Sequence, residues 1–154
     1  MLAGGFAMAA WGSTRTTVDL DLAVDEEARP RLLPLLAAAG FEAFFDGEGF
    51  TNLQHPDEEM GRLDIMWVEG STSDRLFRAA IQRPGPDGTS LLVPSPGHLI
   101  AMKVRAIQSR PSRALRDAPD LHFLLRLPGV EENEVRGYFE RAGLLELHDR
   151  LRRQ

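Results

Sequence analysis

The stretch of sequence that decides the fold covers residues 4–22 and reads GGFAMAAWGSTRTTVDLDL. It opens on a double glycine, continues as a short apolar helical run, crosses a polar loop and ends in an alternating pattern. The alternation of acidic and apolar residues predicts a β-strand over residues 17–24. Because residues two apart in a strand point to the same face, Asp19 and Asp21 project their carboxylates side by side.

These two carboxylates and the double glycine predict a metal and phosphate site. Adjacent carboxylates repel each other unless a cation joins them, and hard oxygen donors suit Mg²⁺ or Mn²⁺ bound to substrate phosphates. Gly4 and Gly5 stand between a short strand and a helix, where backbone N–H groups can approach an anion closely. The pattern therefore predicts phosphate at Gly4 and Gly5 and metal at Asp19 and Asp21. The alternative is an exposed strand face with solvated acids.

The bulk composition limits the function classes. A chain of 154 residues with 43% hydrophobic and 27% charged residues is typical of one globular domain. No apolar stretch approaches the ~20 residues that a membrane helix needs. The absence of cysteine excludes disulfides and thiolate metal sites, so a metal must be held by oxygen or imidazole. We therefore expect a cytoplasmic protein that makes no membrane contact.

The charge is distributed unevenly along the chain. A net charge of −5 disfavours a general nucleic-acid binder. Residues 1–100 carry fifteen acids against seven bases, whereas residues 101–154 carry eight acids against eleven bases. Within residues 101–126 six bases face two acids, which favours an anionic partner near the site.

The rest of the chain predicts alternating strands and helices. Strands are predicted at residues 2–4, 17–24, 41–45, 50–54, 62–68 and 91–93, and a turn at residues 84–88. Helices are predicted at residues 6–11, 26–39 and 96–108, and two or three amphipathic helices are predicted over residues 113–126 and 131–153. Asp25 is a good N-cap for the second helix, which Gly40 ends. We expect an α/β core over residues 1–94 and a helical part over residues 95–154 packed on it, as one compact domain.

The order of strand, Gly-Gly, short helix, glycine, arginine and Asp-x-Asp strand resembles the nucleotidyltransferase fold of the DNA polymerase beta superfamily. Its small prokaryotic members include the AbiEii-type toxins and the aminoglycoside nucleotidyltransferases. They have a similar Gly-Gly-x-Ala stretch before Arg-x-Thr-x-Asp-x-Asp. The resemblance is tight over residues 2–22 and looser elsewhere. It implies a small mixed sheet flanked by helices, with a helical C-terminal part.

The resemblance also implies a third carboxylate on a neighbouring strand. Asp64, in the strand RLDIMWV at residues 62–68, is the candidate. By resemblance, Asp19 and Asp21 bridge the metals, while Asp64 binds the catalytic metal and helps to deprotonate the attacking hydroxyl. An acid inside an apolar strand needs a partner. The alternative partner for Asp64 is Arg62.

Further residues resemble phosphate contacts. Arg15 and Thr16 lie just before the metal strand, where a phosphate or a loop-ordering role fits them. Residues 94–121, PSPGHLIAMKVRAIQSRPSRALRDAPDL, resemble the helical region of AbiEii-type proteins. Lys103, the single lysine, is placed on a polar helix face from which it reaches a triphosphate, and Arg113 adds a phosphate contact. The alternatives are a solvated lysine and ordinary surface arginines.

The reaction implied is transfer of a nucleoside monophosphate from a nucleoside triphosphate (NTP) to a hydroxyl. An AbiEii-type toxin implies an RNA acceptor or a nucleotide-related one, and an antitoxin partner. An aminoglycoside-type enzyme implies a small polycationic acceptor instead, and a non-catalytic binding module of the same fold is the third alternative. Proteins of this type usually have a helix before the Gly-Gly strand. We therefore expect its support to come from residues before Met1 or from another chain, self-association included.

Overall fold

The computed structural model describes residues 1–85 and 88–153 of the chain. It divides into two compact units, Met1–Pro94 and Ser95–Gln154. The packing of these two parts as one domain stays a prediction. Within the described ranges, no helix is both long and apolar enough to cross a bilayer.

The first unit combines helices with a four-stranded mixed sheet and a separate two-stranded hairpin. Its elements are α1 (Gly4–Ala10), β1 (Leu20–Asp25), α2 (Arg29–Ala38), β2 (Glu42–Gly47), β3 (Phe50–Gln54), β4 (Arg62–Val68), α3 (Gly70–Arg78), β5 (Ile81–Pro84) and β6 (Ser90–Val93). The larger sheet has the order β1-β4-β3-β2, with β1 parallel to β4 and the other pairs antiparallel. The predicted α/β fold with a small mixed sheet is therefore confirmed.

The core of this unit lies on one face of the larger sheet. The fully or nearly buried members of this face are Leu53, Leu63, Ile65 and Trp67. Leucines of α2 pack against them, because alternate residues of β3 and β4 point to the same side. The opposite face of the same strands carries Asn52 and Asp64, and the candidate site lies there.

Several predicted boundaries hold and others shift for identifiable reasons. The strands predicted at residues 50–54 and 62–68 have those bounds. β1 begins at Leu20, because its parallel ladder with β4 begins there, opposite Leu63. The short strand at residues 2–4 is reduced to one bridge, Leu2 to Leu22, and α1 already begins at Gly4.

Other predictions near α2 and the hairpin have mixed outcomes. Asp25 caps as predicted, since its Oδ1 accepts the Glu27 N–H at 2.9 Å, but it caps a 3₁₀ turn that precedes α2. Helix α3 and strand β5 were not predicted, because GSTSDRLFR opens on residues of low helix propensity. The predicted turn at residues 84–88 includes positions 86 and 87, which lie outside the described residues.

The second unit is helical, as predicted. Its helices are α4 (Pro96–Ser109), α5 (Ala114–Leu124), α6 (Glu132–Arg141) and α7 (Leu145–Arg152). Residues 113–126 and 131–153 were predicted to form two or three helices, and they contain three, because Gly143 adopts φ +71° and separates α6 from α7.

Candidate functional site

The polar face of the larger sheet aligns two acids and an amide on three neighbouring strands. Asp21 of β1 is the direct register partner of Asp64 of β4, and Asp64 is that of Asn52 of β3. Directly opposed residues share a face, and neighbouring strands are about 4.8 Å apart. The register therefore brings the two predicted carboxylates together side by side.

Asp64 is positioned by an amide. Asn52 donates its Nδ2–H to Asp64 Oδ1 at 2.7 Å, whereas Arg62 Nη2 is 3.9 Å from the same oxygen. The side chain of Asp64 is 27% exposed, so it lies at the boundary between protein and solvent. Arg62, the alternative partner predicted for Asp64, thus makes the longer of these two contacts, and Asn52 makes the shorter one. Asn52 was not predicted as a site residue, although asparagine inside a strand is unusual enough to be a signal.

The double glycine lies against β1 and the residues just before it. A Cβ atom on Gly4 would stand 1.8 Å from Asp21 Oδ2, and a Cβ atom on Gly5 would stand 2.5 Å from Thr17 Oγ1. Gly4 also adopts φ +51°, the left-handed region that favours glycine. The start of α1 can therefore approach Asp21 only because residue 4 lacks a side chain, and Thr17 only because residue 5 lacks one.

The third predicted metal ligand, Asp19, does not belong to a strand. Asp19 lies in a bend immediately before β1, outside the regular ladder. Over residues 1–85 and 88–153, no group of three or more acidic or histidine side chains is arranged to hold a metal ion. The convergence of three carboxylates thus stays a prediction, while the register pairs two of them.

Arg15 and Thr16 lie on the exposed loop between α1 and β1. The Arg15 N–H donates to Ser13 Oγ at 3.4 Å, which orders this part of the loop. Their assignment to phosphate binding stays a prediction.

Lys103 does not lie on a polar helix face as expected. It is buried among the apolar residues of α4, and its Nζ donates to Asp120 Oδ2 at 2.6 Å and Asp117 Oδ1 at 3.2 Å. Position 103 falls on the buried face because Leu99, Val104 and other apolar residues of the same helical turns are buried too. Its role toward a triphosphate stays a prediction, but the expectation of a polar face is wrong.

Arg113 contributes to the same cluster. Its Nε donates to Asp117 Oδ2 at 2.9 Å. Burial raises the pKa of Asp117, but the charges and hydrogen bonds of Lys103 and Arg113 outweigh burial and hold that pKa below its ordinary value. Arg116 Nε also lies 3.9 Å from Asp117 Oδ1. The basic stretch is therefore partly neutralised within the second unit.

The fold is shared with solved nucleotidyltransferases. The crystal structure of ANT(2″)-Ia in complex with adenylyl-2″-tobramycin has a TM-score of 0.56 at 16% identity, over 99% of this chain and 87% of that chain. An antigenic nucleotidyltransferase-like protein from Paracoccidioides brasiliensis has a TM-score of 0.52 at 17% identity, over 98% of this chain and 83% of that chain. These likenesses show the nucleotidyltransferase fold.

A weaker likeness is to the lincomycin-bound lincosamide antibiotic adenylyltransferase LnuA. Its TM-score is 0.40 at 19% identity, over 59% of this chain, and the chain spans 55% of that enzyme's length. No curated protein matches the sequence significantly.

The sequence itself matches one protein family along almost its entire length. The family model is described as the nucleotidyl transferase AbiEii toxin of type IV toxin–antitoxin systems, and it matches residues 1–153. The match includes the double glycine, the paired aspartates on neighbouring strands and the basic helical region. This chain therefore belongs to the AbiEii nucleotidyltransferase toxin family.

Proposed function

We propose that this protein transfers a nucleoside monophosphate from an NTP to a hydroxyl acceptor, with Mg²⁺ or Mn²⁺ at Asp21 and Asp64. The observation that carries the proposal is the register pairing of these two aspartates, with the backbone of Gly4 against Asp21. Asp19 is the proposed third ligand, because it lies two residues before Asp21 next to the same strand.

The donor set fits a hard divalent cation. Mg²⁺ is usually held by one or two carboxylates together with substrate phosphates and water, so two opposed aspartates suffice on the protein side. Their side-by-side placement also gives two like charges that a cation stabilises. When bound, the cation neutralises charge on the phosphates and on the attacking oxygen.

We assign the other roles, which are proton acceptance, orientation of the carboxylate and phosphate binding, to residues of this chain. We assign Asp64 Oδ2 to the proton of the acceptor hydroxyl, because the contacts from Asn52 and Arg62 both reach Oδ1. Asn52 fixes the orientation of that carboxylate. We assign the backbone N–H groups of Gly4 and Gly5 to the triphosphate, since the lack of side chains lets the start of α1 lie directly against Asp21 and Thr17.

The partners proposed are an NTP, an RNA or small-molecule acceptor and an antitoxin, with the toxin acting in the cytoplasm. The toxin and the antitoxin follow from the family to which the chain belongs. Arg15 and Thr16 are proposed to contact phosphate from their exposed loop. Lys103 and Arg113 remain proposed ligands that would have to exchange carboxylate partners for phosphate.

The test compares the wild-type protein with Asp21→Asn and Asp64→Asn, each incubated with one α-labelled NTP and Mg²⁺. Total RNA and tobramycin serve as separate acceptors. Loss of a metal-binding carboxylate removes several kcal/mol of charge stabilisation, so transfer should fall about a hundredfold or more. Asp74→Asn, an exposed aspartate of α3, is the matched control and should keep full activity.

A second measurement separates metal binding from turnover. Calorimetric titration with a non-hydrolysable NTP and Mg²⁺ should give weaker binding for both variants, while far-UV circular dichroism shows an unchanged fold. Wild-type transfer rates in Asp21→Asn would refute the proposed function. Label transferred to tobramycin and not to RNA would identify the small-molecule alternative.

A further inference from the structure

Three phenylalanines are exposed on the larger sheet of the first unit. Phe44, Phe45 and Phe50 are 56%, 53% and 50% exposed. Phe45 is the register partner of Asn52, and Phe50 lies two residues before Asn52 on the same strand. All three are near the free edge of the sheet, because β2 is the edge strand.

The register continues the row of site residues to these rings. Across the four strands the directly opposed positions are Asp21, Asp64, Asn52 and Phe45. Opposed residues share a face, so Phe45 lies on the carboxylate face two strands, or about 10 Å, from Asp64. Phe50 has the same parity as Asn52 and belongs to the same face.

Arg62 connects the aromatic residues to the carboxylate. Its Cζ lies 4.9 Å from the centroid of the Phe44 ring, and its Nη2 lies 3.9 Å from Asp64 Oδ1. The guanidinium therefore stacks on one ring while it approaches the carboxylate of the site.

Gly47 supports the neighbouring ring. A Cβ atom on Gly47 would stand 2.8 Å from Phe45 Cζ, so the ring lies over the backbone of this glycine. Any side chain at position 47 would displace the ring. Glycine at position 47 thus allows the Phe45 ring to lie on the backbone while the ring remains exposed to solvent.

We propose that Phe44, Phe45 and Phe50, here called the aromatic platform, bind an unpaired nucleobase at the end of a single-stranded RNA acceptor. The inference rests on the proposed function and names the part of the acceptor that the site recognises. Exposed aromatic rings hold single-stranded nucleic acid by stacking, and every base offers a π-face. An aminoglycoside has no such face.

The position of the platform favours the acceptor over the base of the NTP. The proposed function assigns the triphosphate to Gly4 and Gly5, which lie beside β1 at one end of the row. In an in-line displacement the attacking hydroxyl enters opposite the leaving pyrophosphate, which corresponds to the β3 and β2 side of Asp64. Glu42 lies on this face opposite Gln54, so a long run of phosphates is disfavoured there and a single base is favoured.

The test measures binding without metal, triphosphate or turnover. A 5′-fluorescein-labelled oligoriboadenylate of eight nucleotides is titrated with each protein, and its anisotropy gives Kd. We expect Phe45→Ala to weaken binding about tenfold, since base stacking on an aromatic ring has roughly this effect. Phe45→Trp should retain wild-type affinity, and Gly47→Ala should weaken binding because its Cβ displaces the ring.

Controls isolate the stacking contact. Leu35→Ala removes an apolar side chain of α2 that is even more exposed, at 67%, and should leave Kd unchanged. An oligonucleotide with an abasic 3′-terminal sugar should bind the wild-type protein about tenfold less tightly, and Phe45→Ala should cause no further loss. In transfer assays Phe45→Ala should raise KM for the oligonucleotide and leave KM for the NTP unchanged.

Equal Kd values for wild type and Phe45→Ala, or no binding of the oligonucleotide at all, would overturn the inference. A rise in KM for the NTP alone would also overturn it, because the rings would then hold the nucleotide base. Wild-type transfer activity in Asp21→Asn would refute the proposed function only. It would not affect the binding of the oligonucleotide, which is measured without metal. The two proposals can therefore fail independently.

Discussion

Replacement of Lys103 by methionine should destabilise the protein strongly, because the residue is part of a buried ion cluster. The side chains of Lys103, Asp117 and Asp120 are 11%, 1% and 4% exposed. Methionine keeps most of the volume but leaves two buried carboxylates without their shared ammonium. Breaking a buried pair in this way costs about 3–5 kcal/mol, which for a chain of this size lowers Tm by about 6–20 °C.

The assay is unfolding in urea at pH 7, followed by far-UV circular dichroism and repeated as a thermal scan. Arg105→Met is the matched control on the same helix, because Arg105 is exposed and its described side-chain contact is one hydrogen bond to Gln108. Its stability should change by less than about 0.5 kcal/mol. Addition of Asp120→Asn to Lys103→Met should recover part of the loss, since one buried charge is removed.

The pH dependence gives an independent check of the same cluster. The pKa of Asp117 is held below its ordinary value of 3.8, so its ion pairs stabilise the folded state above that pH. This contribution is lost as the pH falls below 3.8 and through the lowered pKa. The stability difference between wild type and Lys103→Met should therefore shrink in that range. Equal urea midpoints for Lys103→Met and Arg105→Met at pH 7 would refute the reasoning.

Three further predictions concern the first unit. Gly4→Ala should abolish nucleotide transfer, because the new Cβ would stand 1.8 Å from Asp21 Oδ2 and the residue adopts φ +51°; the transfer assay measures it. Ser73→Ala should raise the pKa of Asp25, which is lowered first by the Ser73 hydroxyl, so acid unfolding should begin at a higher pH. Ile65→Ala should cost about 2–5 kcal/mol in urea unfolding, because Ile65 is fully buried in the sheet core.

Each of these predictions has an outcome that contradicts it. Gly97→Ala is the control for the first, since nothing lies within 4 Å of its added Cβ; loss of transfer in both glycine variants would indicate a general effect of alanine. An unchanged acid transition in Ser73→Ala would show that the hydroxyl does not stabilise the carboxylate. A cost under about 1 kcal/mol for Ile65→Ala would show a core that collapses around the cavity.

Local pattern was sufficient for the fold and for part of the site. Alternation in RLDIMWV and FTNLQ gave strands with the observed bounds, and Gly40 marked the C-terminal end of α2 to within two residues. These features depend on neighbours in the chain, which is why they can be read from it. The Gly-Gly and Asp-x-Asp motifs, through their resemblance to a family, also predicted the nucleotidyltransferase fold.

The structure decided how residues distant in sequence meet. No local pattern states that Asp21 opposes Asp64, that Asn52 donates to Asp64, or that Phe45 ends the same row, because strand order and register depend on the whole sheet.

The burial of Lys103 is a second feature that local sequence pattern could not predict. A lysine in a helical pattern is predicted to be exposed to solvent, because burying an unpaired ammonium is costly. Asp117 and Asp120, on the following helix, supply the partners that make burial tolerable. The sequence by itself determined most of the helices and strands, the fold and the identity of the acids. Tertiary structure alone decided which charges pair, because pairing depends on distances between segments that no local pattern contains.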